Sequence, residues 1–274
     1  MKNKAIRLLI IAASFFSLLL MYTFYEPYLI EIKQDTIVSK KINSKTDKLK
    51  IIFISDIHHG PFLSRERVHN LVDLVNNEMP DIIILGGDYV HRDKKYISSC
   101  FDELQYLKAK YGVYAILGNH DHWEGKELTI KNIQRAKINL LDNNASWISV
   151  GKSRIKIGGV DDYLEGVQDI NPTLTGVKKE DFVILVTHNP DYIEEIKDNT
   201  QIDLVLAGHT HGGQVTFFGL YAPILPTKTR QKYRTGKVQV GSMTAIISNG
   251  VGTVTPPVRF FARPQINVIT LRSE

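Results

Sequence analysis

The stretch LKIIFISDIHHG at residues 49–60 decides the fold class. An apolar run rich in β-branched residues stops abruptly at Asp56, His58, His59 and Gly60, as expected of a buried strand that delivers polar side chains at its carboxyl end. The same plan recurs in DIIILGGD at 81–88 and VYAILGNHD at 113–121. Between the first two, Ser64 is placed to cap a helix whose apolar face takes Val68, Leu71, Val72, Val75 and Met79, with Pro80 as its stop. Between the second and third, a helix from about Ile97 to Lys110 puts Phe101, Leu104 and Leu107 on one side, and Gly112 ends it. Asp88 follows Asp56 by 32 residues and Asn119 follows Asp88 by 31, each close to the length of one strand–helix–strand unit. An α/β fold follows, with parallel strands that bring the three motifs to one sheet edge.

Downstream, Ser146 to Val150 and Arg154 to Val160 read as antiparallel strands joined through Gly151, the second ending in GGVDD. The runs FVILVT and DLVLAG deliver His188 and then His209 and His211. Late strands are expected near Thr244 to Ser248 and Ile266 to Leu271, the latter closing the sheet. Upstream, an uninterrupted apolar run from Leu8 to Tyr25 follows Lys2, Lys4 and Arg7 and is long enough to cross a thin bilayer. It ends in the bulky residues MYTFY, where a signal peptidase needs small ones, so an uncleaved anchor is expected. The positive-inside rule then keeps the N-terminus cytoplasmic and leaves the catalytic domain outside. The expected organisation is a basic flank at 1–7, a transmembrane anchor at 8–25, a polar stem at 26–48 and a catalytic domain at 49–274. The stem, with Lys33, Lys40, Lys41, Lys45 and Lys48 among Asp35 and Asp47, reads as a solvated tether near the membrane surface.

The motifs share one chemistry. Asp56 and His58 are two residues apart and project to the same side if the strand conformation continues, whereas His59 points the other way. Asp88 follows two glycines that permit a tight turn, and a carboxylate there can bridge two cations. Asn119, His120, His188, His209 and His211 add oxygen and nitrogen donors. Any one of them alone reads as a cap or a surface residue; five such motifs, all at strand ends, read as a metal centre. The single cysteine, Cys100, excludes a disulfide framework and a thiolate site, and the N/O donor set suits manganese, iron or zinc. A formal charge of +5 favours an anionic partner.

DIH at 56–58, GGD at 86–88, GNHD at 118–121, TH at 187–188 and GHTH at 208–211 resemble, in order, the five signature blocks of the calcineurin-like metallophosphoesterase superfamily. The longer segments GHTHGGQV, GGVDD, HNPD and SNGVGTVTPPVRFFARPQINVITL resemble its membrane-associated bacterial branch, of the YkuE type and the UDP-2,3-diacylglucosamine pyrophosphatase type. The resemblance implies a four-layer αββα sandwich behind one transmembrane helix, and two divalent metal ions. It also implies that Asp56, His58 and His211 hold the first metal, that Asn119, His188 and His209 hold the second, that Asp88 bridges them and that His120 is the catalytic non-ligand. The expected reaction is hydrolysis of a phosphoester or pyrophosphate by activated water, on a phosphorylated substrate that is lipid-linked or a nucleotide sugar. The loop PTKTRQKYRTGK at 226–237 offers Arg230 and Arg234 to a distal anionic group of that substrate. A nuclease or phosphodiesterase acting on nucleic acid or nucleotides, and a non-catalytic scaffold with the same fold, are the alternatives. The anchor and the lack of a nucleic-acid-binding motif weigh against the first, so no nucleic-acid partner is expected. An intact ligand set weighs against the second.

Overall fold

In the computed structural model, which describes residues 2–151, 153–197 and 200–274, two six-stranded sheets pack face to face. The first has the order β1 (Glu31–Ser39), β12 (Gln265–Ser273), β2 (Lys50–Ile54), β3 (Ile82–Leu85), β4 (Val113–Ala115) and β5 (Asn139–Leu140). The second runs β10 (Gly236–Val240), β11 (Met243–Ile247), β9 (Leu204–Ala207), β8 (Phe182–Thr187), β7 (Ser153–Gly159) and β6 (Asn144–Val150). Strands β2 to β5 are mutually parallel, as are β7, β8, β9 and β11, so the motif loops emerge from carboxyl ends on the same side of each sheet.

Why the strands read as continuous apolar runs is visible in their two faces. Ile51 and Phe53 of β2 point into the core between the sheets, where they meet Phe182, Ile184, Leu204 and Leu206; Ile52 and Ile54 point outward beneath the helices. The outward face is covered by α2 (Arg65–Asn77) and α3 (Lys95–Leu104), which bury Val68, Leu71, Val75, Ile97 and Phe101. Ser64 caps α2, accepting a hydrogen bond from the Arg67 amide. The second sheet's outer face has a thinner cover of short helical turns, α5 (Asn171–Leu174) and Pro190–Glu195, over Val183, Leu185 and Val205. Helix α4 (Asn119–Arg135) begins inside the GNHD motif itself and breaks at Gly125. The N-terminal helix α1 (Lys2–Tyr25) stands away from both sheets, with its apolar side chains exposed.

Four expectations are corrected. Residues 26–48 are not a tether throughout: β1 pairs in parallel with β12 along nine residues, and Lys41 reaches Asp203, just before β9, at 2.9 Å. An edge strand buries few side chains, here chiefly Ile37, so its sequence looks polar. For the same reason β12 does not close the sheet but lies between β1 and β2. Met79 leaves the face of α2, exposed and in a left-handed backbone at φ 50°, because the helix ends at Asn77. The second helix ends at Leu104, short of Lys110, though Leu107 still packs into the core.

Candidate functional site

Strand β2 ends at Ile54, so an extended backbone does not carry Asp56 and His58 to the same side. Their φ values are 53° and 49°, and Asp88 (58°), His209 (68°) and His211 (52°) share this left-handed backbone. Such residues cost about 1–3 kcal/mol each and persist where neighbouring structure fixes them. The fixing is mutual. Asp56 N–H donates to Gly87, His58 N–H to Asp88, Val251 N–H to Ser55 and Gly252 N–H to Asp56, all at 2.7–3.0 Å, so the motif loops tie one another in place.

Close approach sets a second requirement. A Cβ on Gly118 would collide with Asp88 Oδ1 and lie 2.7 Å from the His188 ring, and one on Gly208 would collide with Ser55 Oγ and lie 2.5 Å from Asp56 Oδ2. Glycine is needed there for space, since the ligand groups crowd against the backbone.

The donor atoms form two groups. Those of Asp56, His58 and His211 lie within 4.8 Å of one another, as do those of Asp88, His188 and His209. Asp88 Oδ2 stands between the groups, 3.2 Å from His188 Nε2 and 3.5 Å from His58 Nε2. Its Oδ1 accepts the His120 N–H, while Asp56 accepts the His209 N–H and the Ser55 hydroxyl. His188 Nδ1–H donates to Gly86 at 2.7 Å, which aims Nε2 inward; His209 Nε2 faces the Pro226 carbonyl at 3.1 Å, which leaves Nδ1 for the centre.

These residues fit a pair of cations. Asn119 Oδ1 is buried without a hydrogen-bond partner, which a coordinated cation would supply, and His188 Nε2 is buried with only the Asp88 carboxylate, 3.2 Å away, in front of it. His58 Nε2 and His211 Nε2 are 3.1 Å apart, the separation of two ligands bound at about 2.1 Å to one ion. Burial pushes His58 well below the ordinary imidazole range and, despite the neighbouring Asp56, takes His211 down to about 4, favouring the neutral, ligating form. Burial opposes a proton on His188 as well, yet Asp88 and Asp56 outweigh it and hold this ring well above the usual range; a cation would replace that proton.

Three contributors went unassigned in the sequence. Asp121, the last residue of GNHD, accepts the amides of Asp88, Tyr89 and Gly118 and so locks two motifs together; burial and the nearby Asp88 push it up to about 8 against those donors. Arg259 is fully buried and donates to the carbonyls of Asn249, Gly252, His211 and Ala262, holding the GHTHGG loop. His91 packs against His58 and His120 with ring centroids 5.4 and 5.1 Å away. His59 turns elsewhere, with its nitrogens on the Leu63 carbonyl and the Ser99 hydroxyl. The Arg234 guanidinium donates to the carbonyls of Gly212 and Gly219. Arg230 lies exposed beside Tyr221 and Ala222, outside the wall of the metal-site cavity.

Residues 49–213 match the family model of the calcineurin-like phosphoesterases. The chain belongs to the calcineurin-like phosphoesterase family. The enzyme is 32% identical to the metallophosphoesterase YkuE of Bacillus subtilis (strain 168), over 91% of this chain and 88% of that protein. It is 30% identical to Phosphodiesterase YaeI of Escherichia coli (strain K12), over 81% and 82%. Its fold overlaps the NAD nucleotidase of Haemophilus influenzae with a TM-score of 0.52 at 16% identity, over 74% of this chain and 45% of that one, a likeness of fold alone. The chain is accordingly a metal-dependent phosphoester hydrolase.

Replacing Gly118 with Ala tests the crowding argument. The added methyl group displaces Asp88 or His188, and manganese affinity measured by calorimetric titration should fall at least about tenfold. Unchanged affinity would show that the ligand groups have room to spare.

Proposed function

We propose that this phosphoesterase is anchored in a cell membrane by α1 and hydrolyses a phosphoester or pyrophosphate bond of a cell-envelope substrate, lipid-linked or a nucleotide sugar, at a centre of two divalent cations. The observation that carries the proposal is the pair of ligand groups sharing Asp88 Oδ2 beside a cavity of about 250 Å³ that His120 also lines. Asp56, His58 and His211 would hold one ion, Asn119, His188 and His209 the other, and Asp88 would serve both. Manganese, iron or zinc suits these donors. When bound, the ions supply Lewis acidity, activating water and neutralising phosphoryl oxygens. The likeness to YaeI, a named phosphodiesterase, favours a diester as the bond cleaved.

The protein's own part is positioning and proton transfer. The interlocked loops hold the donors before any substrate arrives, so little reorganisation accompanies the reaction. The His120 ring stacks edge-on against Trp123 at 4.8 Å and has Nδ1 free of hydrogen bonds, 4.0 Å from Glu124. It belongs to neither ligand group in this assignment and faces the cavity, where it protonates the leaving oxygen.

Helix α1, about 36 Å long at 1.5 Å per residue, exceeds the roughly 30 Å hydrocarbon layer. Its apolar side chains are not covered by the domain. Lys4 and Arg7 lie at the end away from the catalytic domain, which supports an extracytoplasmic location for that domain. Protease added to intact spheroplasts should digest the domain; protection until lysis would place it in the cytoplasm.

Two variants test the chemistry. His120→Ala should lose about 10²- to 10⁴-fold in turnover, less on an aryl ester than on an alkyl ester, and keep both metals. Asp88→Ala should lose metal together with activity. Parent-like turnover of the alkyl ester by His120→Ala, or metal loss in that variant, would overturn the role given to His120.

A further inference from the structure

A second cavity adjoins the metal site. It has a volume of about 470 Å³ and shares His211, Pro226 and Val254 with the metal-site cavity. Its remaining wall is largely apolar, with Val215, Ile224, Leu225 and Pro256 prominent. A phosphoryl group at the metals therefore has beside it a space suited to hydrocarbon and poorly suited to a sugar or a second phosphate.

The loop that forms one side of this cavity is unusual for a water-facing surface. From Gly212 to Thr227 it has no charged residue, and Phe217, Phe218, Leu220 and Ile224 are 62%, 74%, 83% and 80% exposed. Contiguous apolar surface of this kind marks an interaction site. Phe218 (φ 51°) and Phe261 (φ 52°) are held outward in left-handed backbone, with ring centroids 5.3 Å apart.

The same surface meets the end of the apolar helix. Tyr22 of α1 lies 6.2 Å from the Phe260 ring and 6.3 Å from the Phe261 ring, and the Arg259 amide donates to the Thr23 carbonyl. Glu26, fully buried one residue beyond α1, accepts the amides of Phe261 and Ala262. Segment 254–262 thus lines the cavity at Val254 and Pro256 and clasps the helix end at Arg259 to Ala262. Helix, exposed aromatics and cavity wall are continuous, so a bilayer that takes up α1 also meets the loop.

We infer that the cavity is an acyl-tail subsite: the loop 215–225 dips into the leaflet around α1, and a membrane amphiphile places its phosphate at the metals and its hydrocarbon chain against Val215, Ile224, Leu225 and Val254. The inference rests on the membrane and metal-centre assignments above. It narrows the substrate class to a phosphorylated lipid and disfavours a water-soluble nucleotide sugar.

Alkylphosphonates, which carry the metal-seeking head without an ester bond, provide the test. Binding of methyl-, butyl- and octylphosphonate would be measured by calorimetry on the full-length, manganese-loaded protein in lipid nanodiscs, with protein-free discs subtracted. Affinity should rise by about fourfold per methylene over the first few carbons and at least tenfold from methyl to butyl. Ile224→Asp, at a position exposed enough to accept a charge without refolding, should flatten that rise. If methylphosphonate binds and the longer chains bind no tighter, or if Ile224→Asp keeps the parent slope, the tail subsite is overturned while the metal centre stands. If no phosphonate binds, the metal-centre assignment falls and takes the subsite with it.

Discussion

Two carboxylates, Asp56 and Asp88, are buried side by side near the sheet ends, and most of the surrounding structure exists to make that tolerable. Removing an ion from water costs several kcal/mol unless close partners replace the solvent. Asp56 has the His209 amide and the Ser55 hydroxyl; Asp88 has the His120 amide and the rings of His188 and His58. Those partners come from four different strand ends, so the carboxylates join the loops as much as the loops position the carboxylates. Bound cations would complete the compensation, and the same electrostatic demand that gathers imidazoles around buried acids would then favour the oxygens of a phosphate.

The parts legible in the sequence were those with a physical periodicity. Strands β2, β3, β8 and β9 are buried on both faces and read as unbroken apolar runs; α2 shows its core stripe and its Ser64 cap. The candidate ligands stood out because polar groups ended each run. The reason given for Asp56 and His58 sharing a side was mistaken: a left-handed backbone, which has no compositional signature outside glycine, accomplishes what strand alternation was expected to do. Strand β1 was hidden because an edge strand beside β12 needs only a few buried side chains. The backbone contacts of Arg234 were not legible, because charge in a sequence does not disclose that a guanidinium also donates to its own chain. Asp121 and Arg259 act by satisfying backbone groups, a role visible only after folding.

Under the proposed anchoring, the short connection between α1 and β1 would set the domain's orientation relative to the membrane. Glu26 and Thr23 fix the helix end against segment 259–262, so the helix axis and the metal cavity belong to one assembly with little slack between them. A freely jointed stem would let the catalytic domain sample the solution. A clasped one would hold a single face towards the proposed bilayer, which would favour substrates arriving in the plane of the membrane over those diffusing from bulk water.

The central claim is that two cations share the Asp88 carboxylate, and electron paramagnetic resonance during a manganese titration tests it most directly. With both ligand groups filled, the spectrum should change from that of an isolated ion to that of an exchange-coupled pair as occupancy approaches two per chain. Saturation at one manganese per chain, or two ions with uncoupled spectra, would contradict it.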